Sequence, residues 1–456
     1  MRRVVKVSRI RIIITIIVVV LTTLLTGCTG KEPNEIAYVV ALGIDSTDDD
    51  NYKITIQYAN TTQISGGASE SGGKAGSEIV DNVTIEAPNI YAGVGLANNI
   101  VSKSFSMSHA KLIVFSKEIA EKGVKDMIET LVRSEEIRPD VFIAVANTTA
   151  NDYLTSVNPE MEVNPAQYYQ LIYQKNQLVG IPDGQLREFF TGLYTDNYDS
   201  ILPVAGVIEG SGGNSQNDDK GQSKDGQNEG SEGSSESLDS FESKSSNEKD
   251  ENEKEKDAEK NTSKYEYDIK NYIGGETTIE KKNKAEAIGA AVFEKDKMVG
   301  ELGEVETEIC KMLKGDYIYS YLTYYNNDTP DIPITVKTTQ QKKPKYKIDT
   351  DKKTIDIELY IESDLYSLPA DYNVENKIED FERDVANYTS SACTEFINNF
   401  TKKYNSDILK LNEKVKYKFL TNNQYNWFKK NVGWSEYKFS VCTNFKVRRT
   451  GLIVRE

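Results

Sequence analysis

Four consecutive residues near the amino terminus have the types and order needed for covalent lipid attachment: Leu25, Thr26, Gly27 and Cys28. They match a bacterial lipobox, in which a leucine and two small residues precede a cysteine. In such sequences the cysteine thiol is alkylated with diacylglycerol, and the peptide bond before the cysteine is cut. This chemistry needs a thiol nucleophile beside residues small enough for the peptidase groove. The pattern therefore predicts that Cys28 is lipidated and becomes the first residue of the mature chain.

The residues before Cys28 have the three-part arrangement of a secretory signal. An apolar core of 14 residues, Ile12–Leu25, follows a basic head. This core is short for a membrane-spanning helix, which needs about 20 apolar residues. Residues 1–27 are therefore predicted to be a lipoprotein signal peptide. The alternative is an uncleaved signal anchor in which Cys28 is an incidental thiol. The head consists of Arg2, Arg3, Lys6, Arg9 and Arg11.

Other residues that often support catalysis or metal binding are sparse. His109 is the only histidine, which excludes an H-E-x-x-H zinc site and any site with several histidines. Gly93-Val94-Gly95 is half of a dinucleotide-binding pattern, and a packing point in a helix or turn explains it better. The sequence has no C-x-x-C pair. We predict no catalytic residues, no metal and no cofactor, and three buried free thiols: Cys310, Cys393 and Cys442. A single disulfide between two of these cysteines is the alternative.

The charge of the chain limits its partners. The full sequence has a net charge of -16, and removal of residues 1–27 would make it -21, because that segment holds five basic residues and no acidic ones. Nucleic-acid binding requires clustered basic residues that neutralise phosphates. The composition therefore predicts no nucleic-acid partner, and it predicts attachment to the membrane by lipid rather than by charge.

One acidic stretch divides the chain. Gly210–Lys264 is rich in Gly, Ser, Glu and Lys and nearly lacks apolar residues, so it cannot bury enough surface to offset its ordering entropy. We predict a disordered linker at residues 209–265, between an amino-terminal α+β region at 28–208 and a carboxy-terminal α+β domain at 266–456. A smaller Gly/Ser patch, Ser65–Gly76, is predicted to be a loop tip.

Hydrophobic periodicity predicts helices and strands in both parts. In the amino-terminal region, Ile36–Ile44 is predicted as a buried strand and Tyr52–Tyr58 as a half-buried one. Helical spacing extends over Lys117–Leu131, and Asn164-Pro165 is typical of a helix start. Further strands are predicted at Ala110–Phe115 and Pro139–Ala146.

In the carboxy-terminal domain, Ala287–Phe293 and Lys297–Leu302 are predicted to form a hairpin. A long helix is predicted at 374–404 and a final strand at 436–448. Residues Ile355–Glu362 alternate strictly between apolar and polar, and the tyrosines of Tyr317–Tyr325 are predicted to alternate on a sheet. A sheet that exposes one face to solvent and packs its other face against one long helix makes an α+β layer.

Several blocks, taken in order after the lipobox, resemble the Ger(x)C spore germination lipoproteins, the C subunits of nutrient germinant receptors. "AIGAAVFEKDKMVGEL" (Ala287–Leu302) carries the best match. The other blocks are "NEIAYVVALGID" (Asn34–Asp45), "SHAKLIVFSKEIAEKGV" (Ser108–Val124), "RSEEIRPDVFIAVA" (Arg133–Ala146) and "NFKVRRTGLI" (Asn444–Ile453).

The resemblance implies a multidomain, mixed-sheet α+β ectodomain of three subdomains behind the lipoprotein signal peptide. It also implies attachment to the outer face of the spore inner membrane through diacylglycerol on Cys28. The implied partners are the membrane-embedded A-type and B-type receptor subunits, with nutrients sensed only indirectly. In the hairpin, the block Lys297, Met298, Val299, Gly300, Glu301 and Leu302 is expected to serve packing or partner contact.

The sequence therefore favours a lipid-anchored accessory subunit, required for spore germination through protein–protein contacts, and not an enzyme. The alternative is an independent solute-binding lipoprotein that captures a small nutrient between domains. A third option is a hydrolase of the cell envelope, since acidic residues are abundant.

Overall fold

The structure is a computed structural model that describes most of the chain on both sides of the acidic stretch. The Gly/Ser patch Ser65–Gly76 and the stretch Gly210–Lys264 lie outside the described residues. The described residues are 13–18, 35–49, 51–59, 80–159, 162, 164–174, 180–195, 197–208, 271–277, 283–326, 329–368, 374, 377–404 and 406–450.

A nine-stranded mixed sheet forms the first layer of the described residues, in the order β3-β2-β1-β5-β6-β7-β8-β9, with β4 paired to β1. Strands β1, β5, β6 and β7 run parallel to one another, whereas β2, β3, β8 and β9 pair antiparallel with their neighbours. The strands are β1 (Ile36–Ser46), β2 (Tyr52–Ala59), β3 (Val80–Ala87), β4 (Ser104–Ser106), β5 (Leu112–Ser116), β6 (Phe142–Ala146), β7 (Ile201–Val207), β8 (Ala285–Glu294) and β9 (Lys297–Leu302).

Helices cover both faces of this sheet, so its parallel strands are buried on both sides, as parallel sheets usually are. One core holds Leu42, Ile44 and Ile113, and the opposite core holds Ala41 and Leu112. The continuous apolar run of β1 is thereby explained. The helices are α1 (Ile90–Ala97), α2 (Lys117–Lys122), α3 (Lys125–Val132), α4 (Ala150–Ser156), α5 (Pro165–Gln174) and α6 (Leu186–Thr195).

Strand β2 is more buried than its alternating pattern predicts. Thr55 and Gln57, two of the three polar residues of that pattern, are fully buried, so the half-buried prediction is wrong. Gln57 donates from Nε2 to the Leu154 carbonyl at 2.8 Å and accepts a hydrogen bond from the Tyr169 hydroxyl at 2.5 Å. Helices α4 and α5 supply these partners. Polar residues on a strand indicate a solvent-exposed face only when no helix covers that face.

The single helix predicted over Lys117–Leu131 is two helices. Gly123 adopts φ = 125°, a backbone conformation that favours glycine, and it separates α2 from α3. The helix predicted to start at Asn164-Pro165 is confirmed, and the Asn164 side chain accepts a hydrogen bond from the Ala166 N–H at 3.0 Å.

The predicted linker falls between two paired strands of the first sheet. β7 precedes the acidic stretch and β8 follows it, yet they pair antiparallel with Val207 opposite Ala285. The N–H of Ile208 also donates to the Lys284 carbonyl at 2.9 Å. The sheet therefore contains strands from both of the predicted α+β regions.

A second mixed sheet of five strands lies towards the carboxyl end. β11 and β12 pair antiparallel with β13, β10 pairs antiparallel with β11, and β14 lies parallel on the other side of β13. The mixed α+β fold class is confirmed by these two sheets. The strands are β10 (Tyr319–Asn326), β11 (Thr329–Gln340), β12 (Lys345–Asp349), β13 (Thr354–Ser367) and β14 (Lys438–Arg449).

Long helix α8 (Ile378–Lys403) packs on one face of this sheet and matches the predicted apolar stripe. Its ends lie four residues after and one residue before the predicted bounds of 374 and 404, and β14 differs from the predicted 436–448 by two residues at its start and one at its end. Phe381 and Tyr388 of the helix contact Tyr324 of β10, with ring centroids 5.7 and 5.9 Å apart. The other helices here are α7 (Glu304–Lys314), α9 (Leu411–Val415) and α10 (Asn422–Asn431).

Polar side chains of α8 also cover the free edge of β14. The N–H of Phe439 donates to Asn398 Oδ1 at 3.1 Å, that of Val441 to Thr394 Oγ1 at 3.0 Å, and that of Thr443 to Ser390 Oγ at 2.9 Å. An uncovered edge strand is a template for pairing with another chain. In this protein the helix occupies the hydrogen-bonding positions that such a chain would use. Glu382 accepts from the N–H of Val447 at 2.8 Å in the same way.

The three described cysteines are free, as predicted, but only two of them are buried. Cys310 lies in α7 and Cys393 in α8. Burial raises the pKa of both thiols to about 12. Cys442 is exposed, which corrects the prediction. It occupies one of the alternating positions of β14 that face solvent.

Candidate functional site

The predicted lipidation site, Cys28, lies outside the described residues. Residues 13–18, within the predicted apolar core, are helical. Among the described residues, no helix is both long and apolar enough to cross a membrane.

The β8–β9 hairpin is confirmed and packs into the first core. Met298 and Leu302 are buried, and Met298 joins the cluster that contains Phe293. Glu301 forms an ion pair with Lys117 of α2 at 2.8 Å. Gly300 lies against the Tyr404 ring so closely that a Cβ atom there would overlap it. Four of the six residues of the predicted block are therefore engaged in contacts within the protein.

The remaining two residues of that block face outward. Lys297 is exposed, and Val299 is 39% exposed. Partner contact through these two side chains stays a prediction.

The lone histidine takes part in local packing. Its ring contacts Tyr38 edge-on at a centroid distance of 4.7 Å, and Nδ1 lies 3.0 Å from Ser108 Oγ. Within the part of the chain that the structure describes, no group of three or more His, Cys, Asp or Glu side chains could hold a metal ion.

The open face of the second sheet carries a cluster of exposed and half-buried aromatic side chains, which we call the tyrosine face. It comprises Tyr319, Tyr321 and Tyr325 of β10 with Tyr360 and Tyr366 of β13. Tyr321 is 54% exposed and Tyr366 is 60% exposed, and their rings contact edge-on at 5.4 Å. The predicted alternation in β10 explains the arrangement, since Leu322 and Tyr324 point to the buried face instead.

Cations and acids complete the tyrosine face. Lys337 Nζ lies 4.7 Å from the Tyr319 ring centroid, and Lys345 Nζ lies 4.9 Å from that of Tyr360. Farther along the sheet, Arg448 pairs with Glu362 at 3.0 Å. Tyrosine and arginine are enriched in the cores of protein–protein interfaces, because they combine large contact area with hydrogen-bonding groups. The composition of this face is therefore typical of a protein–protein interface.

A network of two aspartates, the half-buried Asp199 and the buried Asp407, joins the segment before β7 to the segment after α8. Asp199 accepts hydrogen bonds from the N–H groups of Lys295, at 3.0 Å, and Asp407, at 2.8 Å. Asp407 in turn accepts from the N–H groups of Leu411 and Asn412 at 2.7 and 2.8 Å. Burial raises the pKa of Asp407 to about 7, although these hydrogen bonds favour its charged form. The two carboxyl groups hold three chain segments together.

A cavity of about 380 Å³ is lined by other residues, and neither Asp199 nor Asp407 belongs to its wall. Its wall carries both signs of charge, including Asp183 and Glu188 from the amino-terminal part and Lys311 from α7. Burial raises the pKa of Asp183 and lowers that of Lys311. Lys410 pairs with Glu188 at 3.3 Å, and Lys311 Nζ donates to the Ile181 carbonyl at 3.2 Å. Such a wall offers partners to both ends of a small zwitterion.

Two family domains match the chain, one on each side of the acidic stretch. Residues 30–207 match the domain described as "Spore germination protein N-terminal domain", and residues 288–451 match "Spore germination B3/GerAC like, C-terminal". The chain belongs to the Ger(x)C family of spore germination proteins.

Curated relatives agree with this assignment over part of their length. Spore germination protein KC of Bacillus subtilis is 26% identical over 174 residues, which cover 35% of this chain and 42% of the relative. The putative spore germination protein YfkR of the same organism is 28% identical over 32% of this chain and 37% of the relative. This Ger(x)C chain thus aligns with less than half of either protein.

A solved structure is also similar to this Ger(x)C protein. The crystal structure of the GerBC protein aligns with 89% of this chain and 96% of its own, with 14% identity and a TM-score of 0.48.

The sequence showed only part of the candidate site. The alternation of tyrosines in β10 was visible, but Tyr366 joins them only because β11 and β13 pair. The aspartate network could not be foreseen, because Asp199 and Asp407 lie 208 residues apart in the chain. Two aspartates that each precede a buried apolar run would have been its only local signal.

Proposed function

We propose that this protein is a lipid-anchored accessory subunit of a nutrient germinant receptor complex, held by diacylglycerol on Cys28 at the outer face of the spore inner membrane. It acts in germination through contacts with the membrane-embedded A-type and B-type subunits. It senses nutrients only indirectly, by binding one state of its partners better than another. A non-catalytic role is part of the proposal, and a hydrolase screen of the purified protein would test it.

The tyrosine face is the observation that carries this proposal. Helix α8 covers one face of the second sheet and the edge at β14, so the opposite face is what the sheet offers to a partner. Family membership supports the germination context.

Removal of the exposed rings tests the partner contact. Tyr321→Ser with Tyr366→Ser should weaken co-purification with the A-type and B-type subunits from dormant-spore membranes by about 30-fold, as expected when buried interface aromatics are lost. The melting temperature should change little, because both rings are exposed. Tyr91→Ser, an exposed tyrosine on α1, is the matched control. Unchanged co-purification of the double variant would refute this contact.

The lipid anchor is tested separately. Cys28→Ala should release the protein from the membrane fraction and cripple nutrient-triggered germination, whereas Thr29→Ala should do neither. Membrane retention with a normal germination response in Cys28→Ala spores would contradict the anchor.

The cavity of mixed charge favours a second candidate function, capture of a small zwitterionic nutrient. Calorimetric titration of the purified protein with amino acids distinguishes the two functions. Micromolar binding that Lys311→Met abolishes would support capture, and absence of heat would leave the accessory role.

A further inference from the structure

A lysine-rich segment with three outward-facing apolar side chains contrasts with the acidic remainder of the chain. We call residues Lys414–Trp434 the lysine–aromatic segment. It contains five lysines and no acidic residue, although the whole chain has a net charge of -16. Within it, Tyr417 is 77% exposed, Leu420 is 95% exposed and Trp427 is 68% exposed.

An inner aromatic cluster fixes this segment to the protein. Phe419 contacts Phe428 at a centroid distance of 4.9 Å, and Phe428 contacts Trp434 at 6.0 Å. Tyr425 is buried, and its hydroxyl donates to the Asn412 carbonyl at 3.1 Å. Trp427 follows Tyr425 by two positions on α10, which places it on the opposite side of the helix. The exposed side chains therefore stand on a rigid base.

We infer that the lysine–aromatic segment docks on an anionic phospholipid bilayer. Lysines beside lipid headgroups gain from the negative surface potential, and tryptophan, tyrosine and leucine enter the boundary between headgroups and acyl chains. Charge complementarity favours an anionic bilayer as the binding partner of this segment, whereas the acidic remainder of the chain would be repelled from such a surface. The exposed lysines Lys416, Lys418 and Lys430 supply the attraction.

The topology places this segment at the same end of the parallel strands of the first sheet as the start of β1. Lys429 Nζ donates to the Thr195 carbonyl at 3.0 Å and to Asn197 Oδ1 at 3.1 Å, and these residues precede β7. β1 and β7 belong to the same set of parallel strands, so their amino-terminal ends lie at the same end of the sheet. Three strand spacings separate them, about 14 Å.

Cys28 lies eight residues before Ile36, which limits the distance between anchor and sheet to about 28 Å. This step rests on the proposed lipid anchor. An anchor of that reach at this end of the strands would bring the lysine–aromatic segment to the membrane surface.

Tryptophan fluorescence tests the inference, since the sequence has two tryptophans and the second, Trp434, is buried. The full chain is reconstituted with vesicles of phosphatidylglycerol or phosphatidylcholine. We expect a blue shift and quenching by brominated phospholipid only with phosphatidylglycerol, and loss of both effects at high salt. Trp427→Phe should abolish the response.

Charge reversal supplies the matched comparison. Lys430→Glu should weaken the fluorescence-monitored contact roughly 10- to 30-fold, at about fivefold per unit of charge. Lys284→Glu makes the same change of charge at the opposite end of the strands, just before β8. It should leave the contact unchanged. Equal loss in both variants would overturn docking by this segment.

Other outcomes are equally decisive. If Trp427 stays open to aqueous acrylamide on both kinds of vesicle, the inference is wrong, and burial of Trp427 only in the presence of the A-type or B-type subunit would assign the segment to a protein instead. Failure of the anchor alone gives a different result. The chain would then leave phosphatidylcholine vesicles on flotation but keep its salt-sensitive contact with phosphatidylglycerol.

Discussion

Asp407 is a buried carboxyl group whose proton affinity links folding to pH. The folded chain holds its proton up to about pH 7, whereas an unfolded aspartate releases it near pH 4. Unfolding therefore releases a proton in that window, and the stability contributed by the protonated group is lost as pH rises through it. Glu308, whose pKa burial also raises to about 7, acts in the same direction.

Asp407→Asn should reduce this pH dependence. The neutral amide keeps one oxygen for the Leu411 or Asn412 N–H and carries no buried charge. We expect the free energy of unfolding of the natural protein to fall by roughly 1 to 3 kcal/mol between pH 5 and pH 7.5. Denaturant titration at the two pH values should give a smaller fall for the variant. An identical fall in both proteins would show that Asp407 does not titrate in this window.

Gly300 is required by close approach rather than by backbone conformation. A Cβ atom there would overlap the Tyr404 ring, which also contacts Phe400 at 5.2 Å. Gly300→Ala should lower the free energy of unfolding by about 1 to 3 kcal/mol through overpacking. Combining it with Tyr404→Leu should cost less than the two single changes added together.

Gly95 provides the control for that substitution. It lies in α1, where a Cβ atom would meet nothing within 4 Å. Gly95→Ala should raise stability by about 0.5 to 1 kcal/mol through helix propensity. Equal effects of the two alanine variants in thermal unfolding would contradict the packing account of Gly300.

Helix α8 has two functions on two of its sides, and only one was evident in the sequence. The apolar stripe that packs on the sheet was predicted, because it follows helical spacing. The polar side that covers the β14 edge was not, although Ser390, Thr394 and Asn398 repeat every four residues. Polar residues on a helix usually face water, and only the position of β14 shows otherwise.

Substitutions in α8 test this covering role. Thr394→Val removes the acceptor of the Val441 N–H and should cost about 1 to 3 kcal/mol, the penalty of an unsatisfied buried donor. Thr389→Val is matched in chemistry and helix, but the Thr389 hydroxyl oxygen is buried without a hydrogen-bond partner among the described residues. It should be neutral or stabilising in denaturant unfolding. The role is refuted if Thr394→Val is also neutral.

At the scale of the whole molecule, the acidic stretch interrupts a strand pair rather than separating two sheets. Sequence composition indicated the stretch clearly, because it lacks apolar residues. The pairing of β7 with β8 could not be predicted, since pairing depends on which strands complete the sheet and not on their distance along the chain.

Shortening that stretch should leave the fold intact. Deletion of residues 211–264 keeps Ile208 and Lys284, whose backbones are hydrogen-bonded to each other. We expect an unchanged melting temperature and unchanged co-purification with the receptor subunits. Replacement of Ala285 by proline removes an N–H of β8 and should lower the melting temperature of the same shortened protein. A large loss of stability on deletion alone would show that the stretch contributes to the fold.

The same strand pair sets the order in which the molecule can be assembled on the ribosome. The first sheet ends with β9, so its last strand is not synthesised until residue 302 of 456. Until β8 is complete at Glu294, β7 presents an open edge, and the nascent amino-terminal half lacks the residues that complete its hydrophobic interior. An expression clone that stops at the family-domain boundary near residue 207 would share this defect. A clone extended past Leu302 would not.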